Sequence, residues 1–124
     1  MATFTKSTQE IWSSETFTAG STHADSATKT ITGYVGATVS GKITNGATGP
    51  TVALTLQIWT SPNNTDWYKF GGVLSGTTTN SDVVSWGAIP IPDGVQYLKI
   101  APATTNTGQN VTVDADLSGV TAIA

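Results

Sequence analysis

Two stretches of strict alternation constrain this chain more than any other feature. From Val52 to Ile58, the apolar Val52, Leu54, Leu56 and Ile58 alternate with Ala53, Thr55 and Gln57. From Val111 to Leu117, Val111, Val113, Ala115 and Leu117 alternate with Thr112, Asp114 and Asp116. A period of two puts successive side chains on opposite faces of an extended backbone, so each stretch predicts a strand with one buried face. No window of useful length carries the three-and-four spacing of an amphipathic helix, and β-branched residues and turn formers recur throughout. The expected class is all-β.

The other strands are read from weaker versions of the same pattern. Ala37, Val39, Gly41 and Ile43 fall on one face, approached through Lys29 to Thr32 and the bends at Gly33 and Gly36. The polar cluster Ser61, Pro62, Asn63, Asn64, Thr65, Asp66 predicts a reversal into Trp67, Tyr68, Lys69 and Phe70, making a hairpin. Asp82 to Trp86 reads as a further strand, and Val95 to Ile100 as another after the Asp93-Gly94 turn. Between them, Ile89-Pro90-Ile91-Pro92 lacks ladder donors at both prolines and predicts an edge or a crossover. A Ser/Thr-rich segment from Ser13 to Thr22 predicts an outer strand. Seven or eight short strands at this spacing predict an antiparallel β-sandwich, jelly-roll-like. Its expected core draws on Val39, Ile43, Leu54, Leu56, Ile58, Val84, Leu98, Ile100, Val111 and Val113.

A chain of 124 residues suits one domain with a modest core. Residues 1–19 are expected to form a flexible or strand-forming N-terminal arm, and residues 20–124 the sandwich, with the core starting beyond the arm. Charge is sparse: 10% of residues are charged, and the net charge is -3. No basic stripe is available to neutralise phosphates, so nucleic acid and anionic membrane are poor partners. The polarity lies in Thr, Ser, Asn and Gly, which suits lasting surface contact because no charge has to be desolvated. Cysteine is absent, which excludes disulfides, thiol nucleophiles and thiolate metal sites. Met1 to Glu10 hold no apolar run of signal-peptide length, and no segment reaches the roughly 18 apolar residues of a membrane span. Synthesis and folding in a reducing cytoplasm are expected.

The motifs give little chemistry. His23 is the only histidine and has no nucleophile elbow nearby, so a solvated loop histidine is the expectation rather than a triad member. Asp114 and Asp116 project from one strand face and could share a cation such as calcium, but two ligands fall short of the six to eight oxygens calcium takes. Glu10 and Glu15 lie in unpatterned sequence, which supports no glycosidase pair. The glycine pairs lack the strand-then-helix context of a phosphate loop. No catalytic residue, cofactor or metal is expected, and the chain reads as a non-enzyme. The remaining candidates are aromatic: Trp12, Trp59, Trp67, Tyr68 and Trp86 are the candidate contact residues, with Tyr97 beside them. Exposed aromatic faces could stack on sugar rings, while core packing competes for the same side chains. If Ile58 faces the core, Trp59 faces out.

Four segments resemble small structural proteins of tailed bacteriophages. They are Thr32-Gly33-Tyr34-Val35-Gly36-Ala37-Thr38, Asn45-Gly46-Ala47-Thr48-Gly49-Pro50, Ser61-Pro62-Asn63-Asn64-Thr65-Asp66-Trp67-Tyr68 and Asn106-Thr107-Gly108-Gln109-Asn110-Val111-Thr112-Val113. The likeness runs from about Lys29 to the C-terminus and is greatest to a capsid decoration, or cement, protein. Such proteins usually carry Asp-Gly in the hairpin turn, where this chain has Asn63-Asn64. The resemblance implies a jelly-roll-like body on the capsid surface of a virion, made in the host cytoplasm. It implies as partners the major capsid protein and copies of the chain itself, as a homodimer or homotrimer, and it carries over no catalytic residues. The alternative is a carbohydrate-binding or adhesion module of a phage tail or fibre, with a surface glycan as partner.

Overall fold

The computed structural model describes residues 4–20, 23–104 and 106–123, which hold eight strands and no helix. In chain order these are β1 (Phe4–Phe17), β2 (Lys29–Thr30), β3 (Val35–Asn45), β4 (Thr55–Ser61), β5 (Tyr68–Ser75), β6 (Val83–Pro90), β7 (Tyr97–Pro102) and β8 (Val111–Ile123). They form two four-stranded antiparallel sheets, one ordered β1-β8-β3-β6 and the other β2-β7-β4-β5. The chain is all-β, an antiparallel β-sandwich. Consecutive strands mostly change sheet, and the pairing is nested: β1 with β8, β2 with β7, β3 with β6, and β4 with β5. The chain therefore runs as one long ribbon folded at the β4–β5 hairpin and wrapped into two layers.

The core lies between the sheets and follows the alternation. Leu56 and Ile58 of β4 and Leu98 and Ile100 of β7 join Val39 and Ile43 of β3 and Val113 and Leu117 of β8 in one buried cluster. Nine of the ten expected core residues are buried; Val84 is half-buried because β6 is the edge of its sheet. Pro90 ends that edge strand, where a missing amide donor costs no ladder bond. Within β3, Gly41 admits the close approach of two neighbours. A side chain there would strike the Asp114 carbonyl and come within 2.7 Å of Trp86 Cζ2, so the glycine makes the seat on which the half-buried Trp86 rests.

Two expectations change at the start of the chain. Of the expected arm, Phe4–Phe17 takes the strand-forming alternative, and the core does not begin after it: β1 pairs along its length with β8, from Phe4↔Ile123 to Phe17↔Val111. Its Ile11, Trp12 and Phe17 belong to the core. The strand runs from Phe4 to Phe17 where the Ser13 to Thr22 segment is expected, the last two residues of which lie outside the described residues, and its alternation is broken by bulges. Glu10 and Trp12 oppose the adjacent Asp116 and Ala115, so Ile11 is an extra residue, and Ile11 and Trp12 are buried consecutively. A further irregularity follows between Trp12 and Glu15, where Ser14 takes a positive φ of 47°. At the other alternating stretch, β4 starts at Thr55 rather than Val52. Thr51 and Val52 give their amides to the Thr107 carbonyl at 2.9 and 3.4 Å, outside the ladder, and Val52 is left exposed.

Candidate functional site

The outer face of the β2-β7-β4-β5 sheet gathers most of the chemistry the chain offers. On β4 the residues Leu56, Ile58 and Thr60 turn inward, which sends Gln57 and Trp59 to the opposite face. Trp59 sits in register between Lys69 of β5 and Lys99 of β7. The Lys69 ammonium lies 5.8 Å from the centre of the Trp59 ring, and the Lys99 ammonium 4.8 Å from that of Trp67. Lys99 also pairs with Asp25 at 3.2 Å. Together with Gln57, Val73, Ala101, Pro102 and Ala103, these side chains line an open groove of about 490 Å³.

Local structure explains each position. Trp67 is delivered by the Ser61–Asp66 turn, in which the Ser61 hydroxyl accepts the Asn64 amide at 2.9 Å. The Asn63 side-chain carbonyl accepts the amides of Thr65 and Asp66 at 2.9 and 2.8 Å. Asn64 there takes a φ of 61°, a left-handed conformation that Asn tolerates better than most residues, so the Asn-Asn pair serves where Asp-Gly was the comparison. Asp25 is fixed by its neighbour: the Ser26 amide donates to the Ile100 carbonyl, and the Ile100 amide to the Ser26 hydroxyl, both at 2.9 Å. That clamp holds Asp25 beside Lys99. Gln57 is buried and donates to the carbonyls of Ile58, Phe70 and Gly71 at 3.0, 3.1 and 3.3 Å, which anchors the bulge of β5 at Gly71, where φ is 69°.

The electrostatics of the groove run against those of the chain. Two of its five basic residues stand here with one carboxylate, in a molecule of net charge -3. Each exposed ammonium-on-indole contact contributes about 0.5–1 kcal/mol. The Lys99–Asp25 pair adds little, since Asp25 is 50% exposed and water screens it. The arrangement is therefore easily rearranged by a ligand. It offers aromatic faces, a movable cation at Lys69 and a hydrogen-bonding rim.

The candidate aromatic residues separate by position. Trp59 and Trp67 share the groove, and Tyr68 is 60% exposed on the adjoining edge strand. Trp12 lies in the core, buried edge-on against Phe17 with ring centres 5.1 Å apart. Trp86 is half-buried on the other sheet, and its indole N–H is buried without a partner among the described residues. His23 differs from a solvated loop histidine. Its ring stacks on Phe17 at 4.8 Å, its Nε2 is buried without a partner among the described residues, and this burial lowers its pKa below the ordinary 6.5. Asp114 accepts the Ser14 amide at 2.8 Å and stands opposite Lys42, while Asp116 lies between Glu10 and Ser40. Among the described residues no group of three His, Asp or Glu side chains gathers where a metal ion could sit.

A second groove, of about 360 Å³, runs along the β1·β8 ribbon past Lys6, Thr8, Gly36, Thr38, Ser118 and Val120. The ribbon continues beyond the last β3 pair, Val35↔Val120, to Thr5↔Ala122 and Phe4↔Ile123. Phe4 and Val35 are 58% and 56% exposed at this end. Compared with known proteins, the chain matches no family model, no curated protein and no solved structure.

Proposed function

We propose that this chain is a contact protein of a bacteriophage virion, a decoration protein that binds the outer capsid lattice and stabilises the shell by bridging its subunits. The observation that carries the reading is the β1·β8 ribbon. β1 is a 14-residue edge strand with backbone groups unpaired on one side, and exposed Phe4 and exposed Val35 lie toward the same end of the ribbon. Long open edges and apolar tips are liabilities in a solitary protein and assets where another chain covers them. The nested strand pairing supports a jelly roll as the body, an architecture found among capsid proteins. Many weak contacts to the lattice, and to neighbouring copies as a homodimer or homotrimer, add up to firm occupancy.

The test is addition of the purified chain to shells of its phage that lack it. Decorated shells are expected to rupture at higher temperature than bare ones, because a ligand of the intact lattice stabilises that lattice. Phe4→Asp is expected to lower occupancy while leaving the melting of the free protein unchanged. Shells equally robust with and without the chain would sink the proposal.

The Trp59–Trp67 groove favours a second reading, a carbohydrate-binding or adhesion module of a tail or fibre. Indole faces and a polar rim are the parts a sugar site uses.

A further inference from the structure

We propose that the groove on the outer face of β4, β5 and β7 binds an oligosaccharide containing a uronic acid, with an indole under a sugar ring and the Lys69 ammonium on the ring carboxylate. This rests on the reading of the groove as a glycan site and adds to it the charge of the sugar. It is compatible with a place on either capsid or tail.

The two lysines of the groove are in unequal states. Lys99 is held on both sides, stacked on Trp67 and paired with Asp25. Lys69 rests on Trp59 at 5.8 Å and, among the described residues, has no carboxylate within ion-pair distance. Asp25 thus offsets one ammonium and leaves the groove with one spare positive charge. Lys69 is exposed and flexible, so it can swing off the indole when a ring arrives. The sugar then takes the aromatic face, and the displaced ammonium meets its carboxylate.

The same features disfavour other occupants. An apolar side chain would strip water from Lys69 without supplying a counter-charge. A nucleic acid backbone needs a row of cations, whereas among the described residues this groove has a single uncompensated one. Lys99, in register beside Trp59 and stacked on Trp67, ties the two indoles into one surface, which suits a chain of sugars better than a lone small anion.

The experiment is isothermal titration calorimetry of the full chain with glucuronate-, galacturonate- and mannuronate-containing tetrasaccharides and with their carboxyl-reduced, neutral counterparts. At least one acidic sugar is expected to bind about two- to fivefold tighter than its neutral counterpart. Lys69→Gln is expected to erase that difference without lowering the melting temperature, and Trp59→Ala to abolish binding of both. The indole N–H resonances of the unaltered chain give a readout that does not depend on the variants folding. Those of Trp59 and Trp67 should shift on titration while those of Trp12 and Trp86 stay in place. Equal binding of acidic and neutral sugars would overturn the carboxylate preference and leave the glycan site standing. No binding by any of the sugars, or shifts confined to Trp12 and Trp86, would overturn both.

Discussion

His23 shows how one side chain can couple fold and pH. Its imidazole is stacked on Phe17, and burial holds its pKa below 6.5, so the folded protein favours the neutral ring. In the unfolded chain the ring takes up a proton more readily. Below about pH 6.5 the unfolded state therefore binds more protons than the folded one, and stability falls as pH drops through that value toward the lowered folded pKa. Above it the stabilisation is complete. The melting temperature is expected to decline between about pH 7.5 and pH 5.5, and to decline less in His23→Phe. Equal declines in the two proteins would refute the assignment. A second residue tests the core register: Leu56 is fully buried, so Leu56→Ala is expected to cost about 2–5 kcal/mol in chemical denaturation. A neutral effect would mean that the period-two reading of β4 is misplaced.

At the scale of elements, β1 is the part whose role the structure changes most. It covers one side of β8 and places Ile11, Trp12 and Phe17 in the core. Deleting residues 1–19 would remove these three side chains and bare a 13-residue strand, β8, along one edge. The truncated chain is expected to lose its cooperative thermal transition, whereas deleting residues 1–9 spares all three core side chains and should leave a melting transition. A folded sandwich without residues 1–19 would show that β1 is an accessory strand. This role was not legible in the sequence for a definite reason. Bulges at Ile11 and near Ser14 interrupt the alternation, and Ser, Thr and Glu fill the exposed positions, so neither period nor composition marks a half-buried strand.

For the whole molecule, the sparse charge bears on the shell-binding experiment. With 10% charged residues and with Phe4 and Val35 exposed toward one end of the ribbon, docking would rest on apolar and neutral hydrogen-bonding surface. Salt screens exposed charges but leaves such contacts in place. Decorated shells are therefore expected to keep their occupancy through a high-salt wash, and loss of the protein by moderate salt alone would count against the decoration reading. The uronate site depends on a spare ammonium and should instead weaken with salt, so the two surfaces can be told apart in one protein.

Alternation alone determined that the molecule is all-β, that Leu54, Leu56, Ile58, Val111 and Val113 are core, and that Trp59 points away from it. Those properties are local, since a strand's period assigns each residue to a face whatever its partner is. The Ser61–Asp66 turn went one step further by setting the β4–β5 hairpin, from which Lys69 beside Trp59 follows. Pairing between distant strands has no such local mark, because it is selected by the packing of the completed core. Only the tertiary structure joined β1 to β8, and only it brought Asp25 and Lys99 to a groove whose indoles come from the β4–β5 hairpin. Asp25 reaches its place through the Ser26–Ile100 clamp, a contact across 74 positions of sequence that no residue pattern near either end announces.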